Sequence, residues 1–388
     1  MNTKRTSYGL NEEEQEMLDL VHQFAENEVA PRAAAIDQTG QFPWDLKEQM
    51  ANLDILAMPF PTEYGGIGAS ALLIVMASEE ISRYCASTAL ILAAHHLAAT
   101  PIMLFGNEKQ KQKYLPPLAK GQWLAAYALT EPEAGSDAGA LRTSAVRKGE
   151  TYLLNGTKHF ITCGGLAQVN VVFARTDSQT GTKGISAFLF EKGSHGFSVG
   201  KVEHKMGIRG SQTTELVFTD CEVPAENLLG REGEGFKVAM ATLDRTRPNI
   251  AAQGLGIAQG AFDFAVEYVK TRTQFGKPIA DQQGIQFMIA EMATDLEAAR
   301  LMIYRTATLI DHSRTQPDLR FSQESAMAKM FATEAAVRVV DKALQLLGGY
   351  GYMTEYPIER MYRDVRITPI YEGTNQIQRA VIAREALR

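Results

Sequence analysis

The chain has 388 residues, of which 45% are hydrophobic and 22% are charged. This length is too great for one compact core, so two or three domains are expected. A net charge of -6 excludes the basic surface of a nucleic-acid-binding protein. No uncharged apolar run is expected to reach the length of a membrane span.

The three cysteines, Cys85, Cys163 and Cys221, are widely spaced and form no C-x-x-C motif. They predict buried thiols in a reducing compartment rather than disulfides, and no metal site is predicted. The N-terminal segment 1–8 has a basic pair but no apolar core, so no secretory signal is expected. We therefore expect a cytoplasmic protein in a bacterium, or a mitochondrial matrix protein if a presequence was removed.

Residues 1–120 are predicted to form an N-terminal helical domain. Asn11 and Glu14 have the spacing of a capping box at the start of a helix, and Pro31 is expected to end this helical run. Apolar helical texture resumes over residues 71–104, and the pair Pro116-Pro117 is expected to mark another break.

Residues 121–235 are predicted to form a central antiparallel β-domain. Gly, Asn and Asp separate four β-prone runs, which are residues 151–154, 169–174, 185–190 and 215–219. The order of helices, strands and helices lacks the βαβ alternation of a Rossmann dehydrogenase.

Residues 236–388 are predicted to form a C-terminal helical bundle. The buried stripe of one long helix is expected at Ile285, Met288, Met292, Leu296 and Ala299. Ser322 is expected to cap a second long helix that ends at Gly348-Gly349.

The run 370–379 places one carboxylate, Glu372, beside Gly373 among hydroxyl, amide and apolar side chains. A carboxylate without an adjacent cation can serve as a general base, and a glycine lets a ligand approach the backbone. These residues alone favour the alternative, an exposed Glu-Gly turn. The run resembles the catalytic segment of flavin-dependent acyl-CoA dehydrogenases, in which the equivalent glutamate removes the α-proton of a thioester.

The run 127–137 carries the hydroxyls of Thr130 and Ser136 and the small residue Gly135, a combination suited to a polar cofactor edge and a phosphate. By themselves these residue types favour a solvated turn. The run resembles the first signature of the same family. This resemblance implies that Tyr127, Thr130 and Ser136 bind the flavin, and that Ser136 also contacts the substrate.

Phe160 and Thr162 are two residues apart, so on a strand they are predicted to face the same way. Phe160 would then cover a ring while Thr162 bonds its edge, although a strand ending in a Gly-Gly turn is the alternative that these residues favour alone. In the family, residues at these places shield and hydrogen-bond the flavin. Many members carry tryptophan where this chain has Phe160.

Two C-terminal segments resemble the family's cofactor elements. Arg272 and Phe275 belong to an R-x-x-F-G element, followed by Gln283, and Gln345 and Gly349 belong to the second signature. Arginine pairs well with phosphate, although a lone arginine in a polar break is usually a surface residue. The resemblance implies that these residues reach the adenine-diphosphate half of an FAD held mainly by a neighbouring subunit.

The resemblance covers nearly the whole chain. It implies an α+β multi-domain fold, with an N-terminal all-α domain, a central antiparallel β-domain and a C-terminal four-helix bundle, assembled as a homotetramer. It also implies FAD-dependent conversion of an acyl-CoA to a trans-2-enoyl-CoA in fatty acid or amino acid catabolism, with electrons passing to an electron-transferring flavoprotein. The remaining implied contacts are Thr374 and Gln376 with the cofactor, and Asp244, Arg247, Tyr371, Gly373 and Arg384 with the substrate.

Some alternatives stay open at this point. Thr246 stands where certain members carry the base, and because threonine has no carboxylate, Glu372 is the one candidate. For Asp244, Arg247 and Arg384, local sequence equally favours a helix-terminal charge beside Pro248 or a solvated arginine. An acyl-CoA oxidase, a glutaryl-type enzyme or a catalytically silent flavoprotein would share the fold. The segment 243–248 resembles medium-chain members, so a short- to medium-chain acyl group, linear or with a small branch, is expected.

Overall fold

The computed structural model describes residues 8–178 and 180–388. The expected absence of a secretory signal concerns a segment that lies mostly outside these residues. The first part of the chain is helical, with α1 Glu12–Phe24, α2 Ala33–Thr39, α3 Trp44–Asn52, α4 Ala71–Ser82, α5 Ala86–Phe105 and α6 Glu108–Ala119. The capping box is confirmed, because the Asn11 side chain accepts from the Glu14 N–H at 2.9 Å and Glu14 returns the bond.

Two expected breaks in this part are wrong. Pro31 does not end the helical run, since a π-turn (Ala25–Val29) and a 3-10 turn (Ala30–Arg32) carry the chain into α2. Pro31 sits at the start of that last turn, where a missing N–H is tolerated. Pro116-Pro117 lies inside the C-terminal turns of α6, which continues to Ala119.

Helix α5 corrects the expectation about apolar runs. Its 20 residues are long and apolar enough to cross a membrane by length and composition. However, 72% of the apolar window is buried inside the protein, against α4, α7 and the sheet. Length and composition alone are therefore weak grounds for a membrane span, because a core helix meets the same criteria.

The middle of the chain forms one eight-stranded sheet. Its strands are β1 Ala125–Ala128, β2 Ser144–Lys148, β3 Thr151–Thr162, β4 Val169–Arg175, β5 Ile185–Glu191, β6 Phe197–Val202, β7 Thr213–Pro224 and β8 Leu228–Leu229. The order is β6-β7-β3-β2-β4-β5-β8, with β1 beside β4. The pairing is antiparallel except for the β1–β4 pair and one β2–β4 contact, which are parallel. All four predicted strands are present and longer than predicted.

The last part is helical again. It comprises α7 Gly235–Thr271, a short hairpin of β9 Thr273–Gln274 and β10 Lys277–Pro278, α8 Gln283–His312, α9 Ser322–Leu347, α10 Pro357–Val365 and α11 Asn375–Ala386. Helix α9 packs against α7, α8 and α11. The predicted stripe lies on α8, where Met292, Leu296 and Ala299 are fully buried and Ile285 and Met288 partly so. The helical, β and helical architecture is thus as predicted.

Three local expectations for this part have different outcomes. Helix α9 ends at Leu347 before Gly348, whose φ is +58°, as predicted. Ser322 does not cap α9, because it is the first helical residue and its hydroxyl donates to the Asp244 carboxylate at 2.5 Å. Asp244 is not at a helix terminus, because α7 begins at Gly235 and passes through Pro248.

Candidate active site

The turn that carries Glu372 lies between α10 and α11 and has an unusual backbone. Glu372 has φ +49° and Gly373 has φ +90°. A Cβ at Gly373 would lie 2.6 Å from Gln378 Nε2, so this position favours glycine in both conformation and space. Non-glycine residues with positive φ are uncommon and occur often at functional sites.

Glu372 is partly buried and faces α7. Thr246 Oγ1 donates to Glu372 Oε2 at 3.0 Å. Burial raises the pKa of Glu372 to about 7, although the Thr246 hydrogen bond and the charges of Arg247 and Lys329 act in the opposite direction. A carboxyl group with such a pKa can accept a proton near neutral pH.

The backbone N–H of Glu372 is a second polar group of this turn. Among residues 8–178 and 180–388, no oxygen accepts a hydrogen bond from it, while Tyr371 N donates to Ile367 O at 3.2 Å. An N–H group of this kind can donate to a ligand oxygen.

Asp244 and Arg247 form an ion pair within α7, with Arg247 Nη1 2.5 Å from Asp244 Oδ1. Arg247 is only 3% exposed, and its Nε is buried without a hydrogen-bond partner. Asp244 also accepts from Ser322, which ties α9 to the same pair. Arg247 lies near enough to Glu372 for its charge to act on that carboxyl, and Asp244 is linked to the same region through its ion pair with Arg247.

Sequence reasoning missed Lys329 of α9. This lysine is fully buried, and its Nζ donates to Gly373 O and Asn375 Oδ1, both at 2.9 Å. Burial lowers its pKa to about 7, while the nearby charge of Glu372 acts to raise it. One feature of the sequence could have indicated its role: Lys329 lies among the small residues that form the buried face of α9.

Two phenols complete the surroundings of Glu372. Tyr371 donates to Gln253 Oε1, and Tyr127 of β1 donates to Ala239 O at 3.4 Å. Burial raises the pKa of both phenols well above its usual value, and the charge of Glu372 adds to the rise. The predicted cofactor residue Tyr127 therefore lies within the electrostatic reach of the predicted base.

The Thr130 loop is held against β3 by a buried ion pair. Lys158 Nζ lies 2.7 Å from Glu131 Oε1, and the Glu131 carboxylate also accepts from Thr143 N and Arg142 N. His159 N donates to Thr130 O at 2.9 Å, so Thr130 and Phe160 are neighbours. Ser136, further along the loop, is exposed.

Phe160 does not follow the strand geometry that the sequence predicted. It has φ +58° at an irregularity in the register between β3 and β7, and it is 62% exposed. Thr162 lies beyond the irregularity, paired with Thr213. A bulge therefore interrupts the regular strand at Phe160, while the expectation that Phe160 and Thr162 face the same way stays a prediction. An exposed aromatic ring in this position can still stack against a flat ligand.

The remaining predicted cofactor residues form a separate group. Arg272, Gln345 and Gly349 line an open cavity of about 500 Å³, in which Arg272 stacks 5.4 Å from the Tyr350 ring centre. Phe275, at the turn of the β9–β10 hairpin, is 93% exposed, and Gln283 is exposed at the start of α8. Within the described part of the chain, no side-chain hydrogen bond links this group to the Glu372 or Thr130 regions.

Three other predicted residues lie on α11 or at its start. Thr374 Oγ1 accepts from Ile377 N at 3.3 Å and caps the helix, while Gln376 is exposed. Arg384 is exposed and pairs with Glu385 at 3.2 Å, without contacting the Asp244–Arg247 pair.

The sequence predicted no metal site, yet three possible ligands lie together. His159, Glu203 and Glu215 bring their ligand atoms within 4.8 Å of one another. The two imidazole nitrogens of His159 each lie 3.2 Å from one of the two carboxylates. This arrangement fits an imidazole held between two carboxylates. Nothing in the sequence indicated it, because the three residues come from separate strands or loops.

Comparisons with known proteins cover nearly the whole chain. Family models match residues 11–122 (acyl-CoA dehydrogenase, N-terminal domain), 126–221 (middle domain) and 233–387 (C-terminal domain). A short-chain specific acyl-CoA dehydrogenase of Clostridium acetobutylicum is 50% identical, over 98% of this chain and 100% of that protein.

Two solved structures have the same fold over their full length. Butyryl-CoA dehydrogenase from Megasphaera elsdenii has a TM-score of 0.94 and 46% identity, covering 99% of this chain and 100% of that one. A chain in the structure of the electron transferring flavoprotein of Acidaminococcus fermentans has a TM-score of 0.95 and 49% identity, with the same coverage.

Proposed function

Because the chain belongs to the acyl-CoA dehydrogenase family, we propose that it oxidises a short-chain acyl-CoA to the trans-2-enoyl-CoA with Glu372 as the base. The single observation that carries this assignment is the partly buried Glu372 carboxylate, whose pKa is raised to about 7 by burial. A base with this pKa is about half ionised at pH 7, fully ionised at slightly higher pH, and still binds a proton far more strongly than an ordinary carboxylate.

Groups of this chain can make the α-proton of the thioester acidic enough to be removed. The backbone N–H of Glu372 is free to donate to the thioester carbonyl, so the negative charge that develops on its oxygen meets a fixed donor. The Glu372 side chain then takes the α-proton. Thr246 is too weak a base to replace Glu372, but its hydroxyl orients the carboxylate.

The residues present fit FAD, which a solved relative contains. FAD supplies the acceptor for the β-hydride when it is bound. We propose that Tyr127, Thr130, Ser136, Phe160 and Thr162 hold it on one side, since Thr130 and Phe160 are neighbours and the Phe160 ring is free to stack. Thr374 and Gln376 are proposed as further contacts near Glu372.

The diphosphate half of FAD is proposed to bind the cavity of Arg272, Gln345 and Gly349 on another copy of the chain, with Phe275 and Gln283 beside it. The exposure of Phe275 (93%), Tyr352 (80%) and Phe287 (59%) supports a covered surface in a homotetramer, because large aromatic side chains are usually more buried than this. We further propose three domains, residues 1–120, 121–235 and 236–388, and a cytoplasmic or mitochondrial matrix location.

The proposed substrate is a short-chain acyl-CoA. The relatives named above support it: one is short-chain specific and another is a butyryl-CoA dehydrogenase. Tyr371, Gly373 and Arg247 lie near Glu372, and Asp244 is paired with Arg247. These four are proposed substrate contacts, as are Ser136 and Arg384. The proposed electron acceptor is an electron-transferring flavoprotein, in line with the matching chain from A. fermentans.

A glutaryl-type enzyme is the weaker alternative. By resemblance, such an enzyme is expected to carry an arginine within residues 84–88, and the nearest arginine, Arg83, lies just outside. Arg83 is held by Asp263 at 2.6 Å and Glu80 at 3.8 Å. It is therefore engaged within the protein.

The test is anaerobic addition of acyl-CoA thioesters to FAD-loaded protein while the flavin absorbance is followed. Butyryl-CoA should bleach the flavin rapidly and palmitoyl-CoA slowly. Lack of bleaching by every thioester would overturn the dehydrogenase assignment. A higher kcat/KM for palmitoyl-CoA than for butyryl-CoA would overturn only the proposed substrate.

A further inference from the structure

Lys329 lies in the protein interior without an ordinary counter-ion. It is fully buried on α9 and forms no ion pair with any carboxylate of the described residues. An ammonium group is costly to bury unless its donors and its charge are both compensated. A neutral donor such as an amide could hydrogen-bond with a smaller cost of burial, so the charge of Lys329 needs an explanation of its own.

The two acceptors of Lys329 belong to the turn of Glu372. Gly373 O, at 2.9 Å, is the carbonyl directly after Glu372, and Asn375 Oδ1, also at 2.9 Å, belongs to the first residue of α11. Glu372 and Gly373 both have positive φ, so this backbone needs outside contacts to stay in place.

Several other charged or titratable groups face this point. Arg247 approaches from α7, but Asp244 at 2.5 Å offsets its charge. Glu334 lies on α9 and interacts with Asn375 and Arg379. Tyr127 on β1 and Tyr371 in the turn are neutral phenols at ordinary pH because burial raises their pKa. Among the described residues, Lys329 is therefore the basic group near Glu372 that has no ion-pair partner of its own, and with a pKa of about 7 it carries its charge on the acid side of that pH.

We propose that Lys329 is a positioning residue, which fixes the Glu372–Gly373 turn through the Gly373 carbonyl and whose charge favours the ionised form of Glu372. The inference rests on the proposed role of Glu372 as the base. In the folded protein Lys329 lowers the pKa of Glu372, against the larger effect of burial. Removal of the charge should thus raise that pKa, and Glu372 would become a competent base only at higher pH.

The test is the pH profile of kcat/KM on butyryl-CoA with FAD-loaded Lys329→Met, Lys329→Gln and Lys329→Arg. The wild-type profile should rise through about pH 7. In the Met and Gln variants the rise should move up by as much as about one pH unit, which is a loss of up to about tenfold on the acid side. At high pH the Gln variant, which retains a donor, should approach the wild type, and the Arg variant should keep the wild-type rise.

Lys237→Met is the matched control, because Lys237 is 68% exposed at the start of α7, and it should leave the profile unchanged. If the Met variant does not fold, the Gln and Arg variants decide the matter. An unmoved rise in the Gln variant overturns the inference, even when kcat falls equally at all pH values, because that result describes a purely structural contact. Failure of the proposed base is seen separately, as retained activity in Glu372→Gln.

Discussion

The polar groups around Glu372 have partners within the same chain, whereas those around Arg272 have few. Near Glu372, the Asp244–Arg247 pair, Thr246 and Lys329 are partnered by groups of the same chain. Near Arg272, one ring contact with Tyr350 is present, the cavity is open, and Phe275 is 93% exposed. The first region is held mainly by groups of its own chain, whereas the second is an open surface, which agrees with the proposed binding of a ligand and a second copy there.

This difference indicates what each region does. The pKa of a catalytic base is determined by its neighbours. Those neighbours must therefore be in fixed positions before the substrate binds. A site that holds a diphosphate gains its specificity from charge-assisted hydrogen bonds made on binding, so its donors can stay open until then. Changes near Glu372 should therefore alter rate and pH dependence, and changes near Arg272 should alter cofactor retention.

The largest effect is expected for Glu372→Gln. The amide keeps the shape of the side chain but removes its basicity, so kcat should fall by ~10²–10⁴-fold while the protein stays folded and keeps FAD. The check is steady-state turnover of butyryl-CoA beside the flavin spectrum, with the exposed Glu13→Gln as the control. Retention of more than about a tenth of the wild-type kcat would show that the base lies elsewhere.

Arg272→Ala should act on the cofactor rather than on the chemical step. Loss of a charged donor to phosphate should weaken FAD binding by about 10- to 100-fold. Dialysis followed by measurement of the FAD-to-protein ratio tests this, and turnover should return when excess FAD is added. Arg231→Ala, at an exposed arginine, should retain its cofactor. Equal retention in both variants would mean that Arg272 is a surface residue.

Glu372→Gln should also change stability in a pH-dependent way. The folded-state pKa of about 7 lies above the ordinary value of 4.5, so the stability that Glu372 contributes is full below about pH 4.5 and is lost as the pH rises through about 7. At pH 8 the variant should be more stable than the wild type by about 3 kcal/mol, and near pH 4.5 the gap should close. Denaturant unfolding of apo-protein at both pH values measures this difference, and a constant difference would contradict it.

A smaller effect is expected for Thr246→Val, which removes the hydroxyl that donates to Glu372 at 3.0 Å. That hydrogen bond lowers the pKa of Glu372, so its loss should move the rise of kcat/KM to higher pH and lower the rate at pH 6 up to about tenfold. FAD retention should not change. A fall in rate that is the same at every pH would indicate altered packing instead.

The fold was largely predictable because its signals are local. The Asn11 capping box, the four strand runs and the glycine end of α9 depend on residues close in sequence. The errors have a common origin in tertiary contacts: Ser322 is drawn to Asp244, and the chain continues through Pro31 into α2. The burial of α5 likewise depends on what packs around it.

The sequence predicted the individual motifs of the site but not the contacts between them. Resemblance identified Glu372 and Thr246 as important positions, and the structure brings them within 3.0 Å. Lys329 was missed because it lies 44 residues before Gly373, to whose carbonyl it donates. The helix that carries it otherwise has the sequence pattern of a buried helix. The geometry of Phe160 was missed because alternation along a strand gives no sign of a bulge.

The central claim is that Glu372 acts in one subunit on a cofactor whose diphosphate half is held by Arg272 of another. Its most direct test is co-assembly of Glu372→Gln with Arg272→Ala, each carrying a different affinity tag, at an FAD concentration too low to rescue the Arg272→Ala homo-oligomer. In tandem-purified mixed oligomers, some sites would combine an intact Glu372 with an intact Arg272. The account predicts recovered turnover, up to about half of the wild-type rate per site in one-to-one pairs. No recovery in mixed oligomers that demonstrably contain both chains would contradict it.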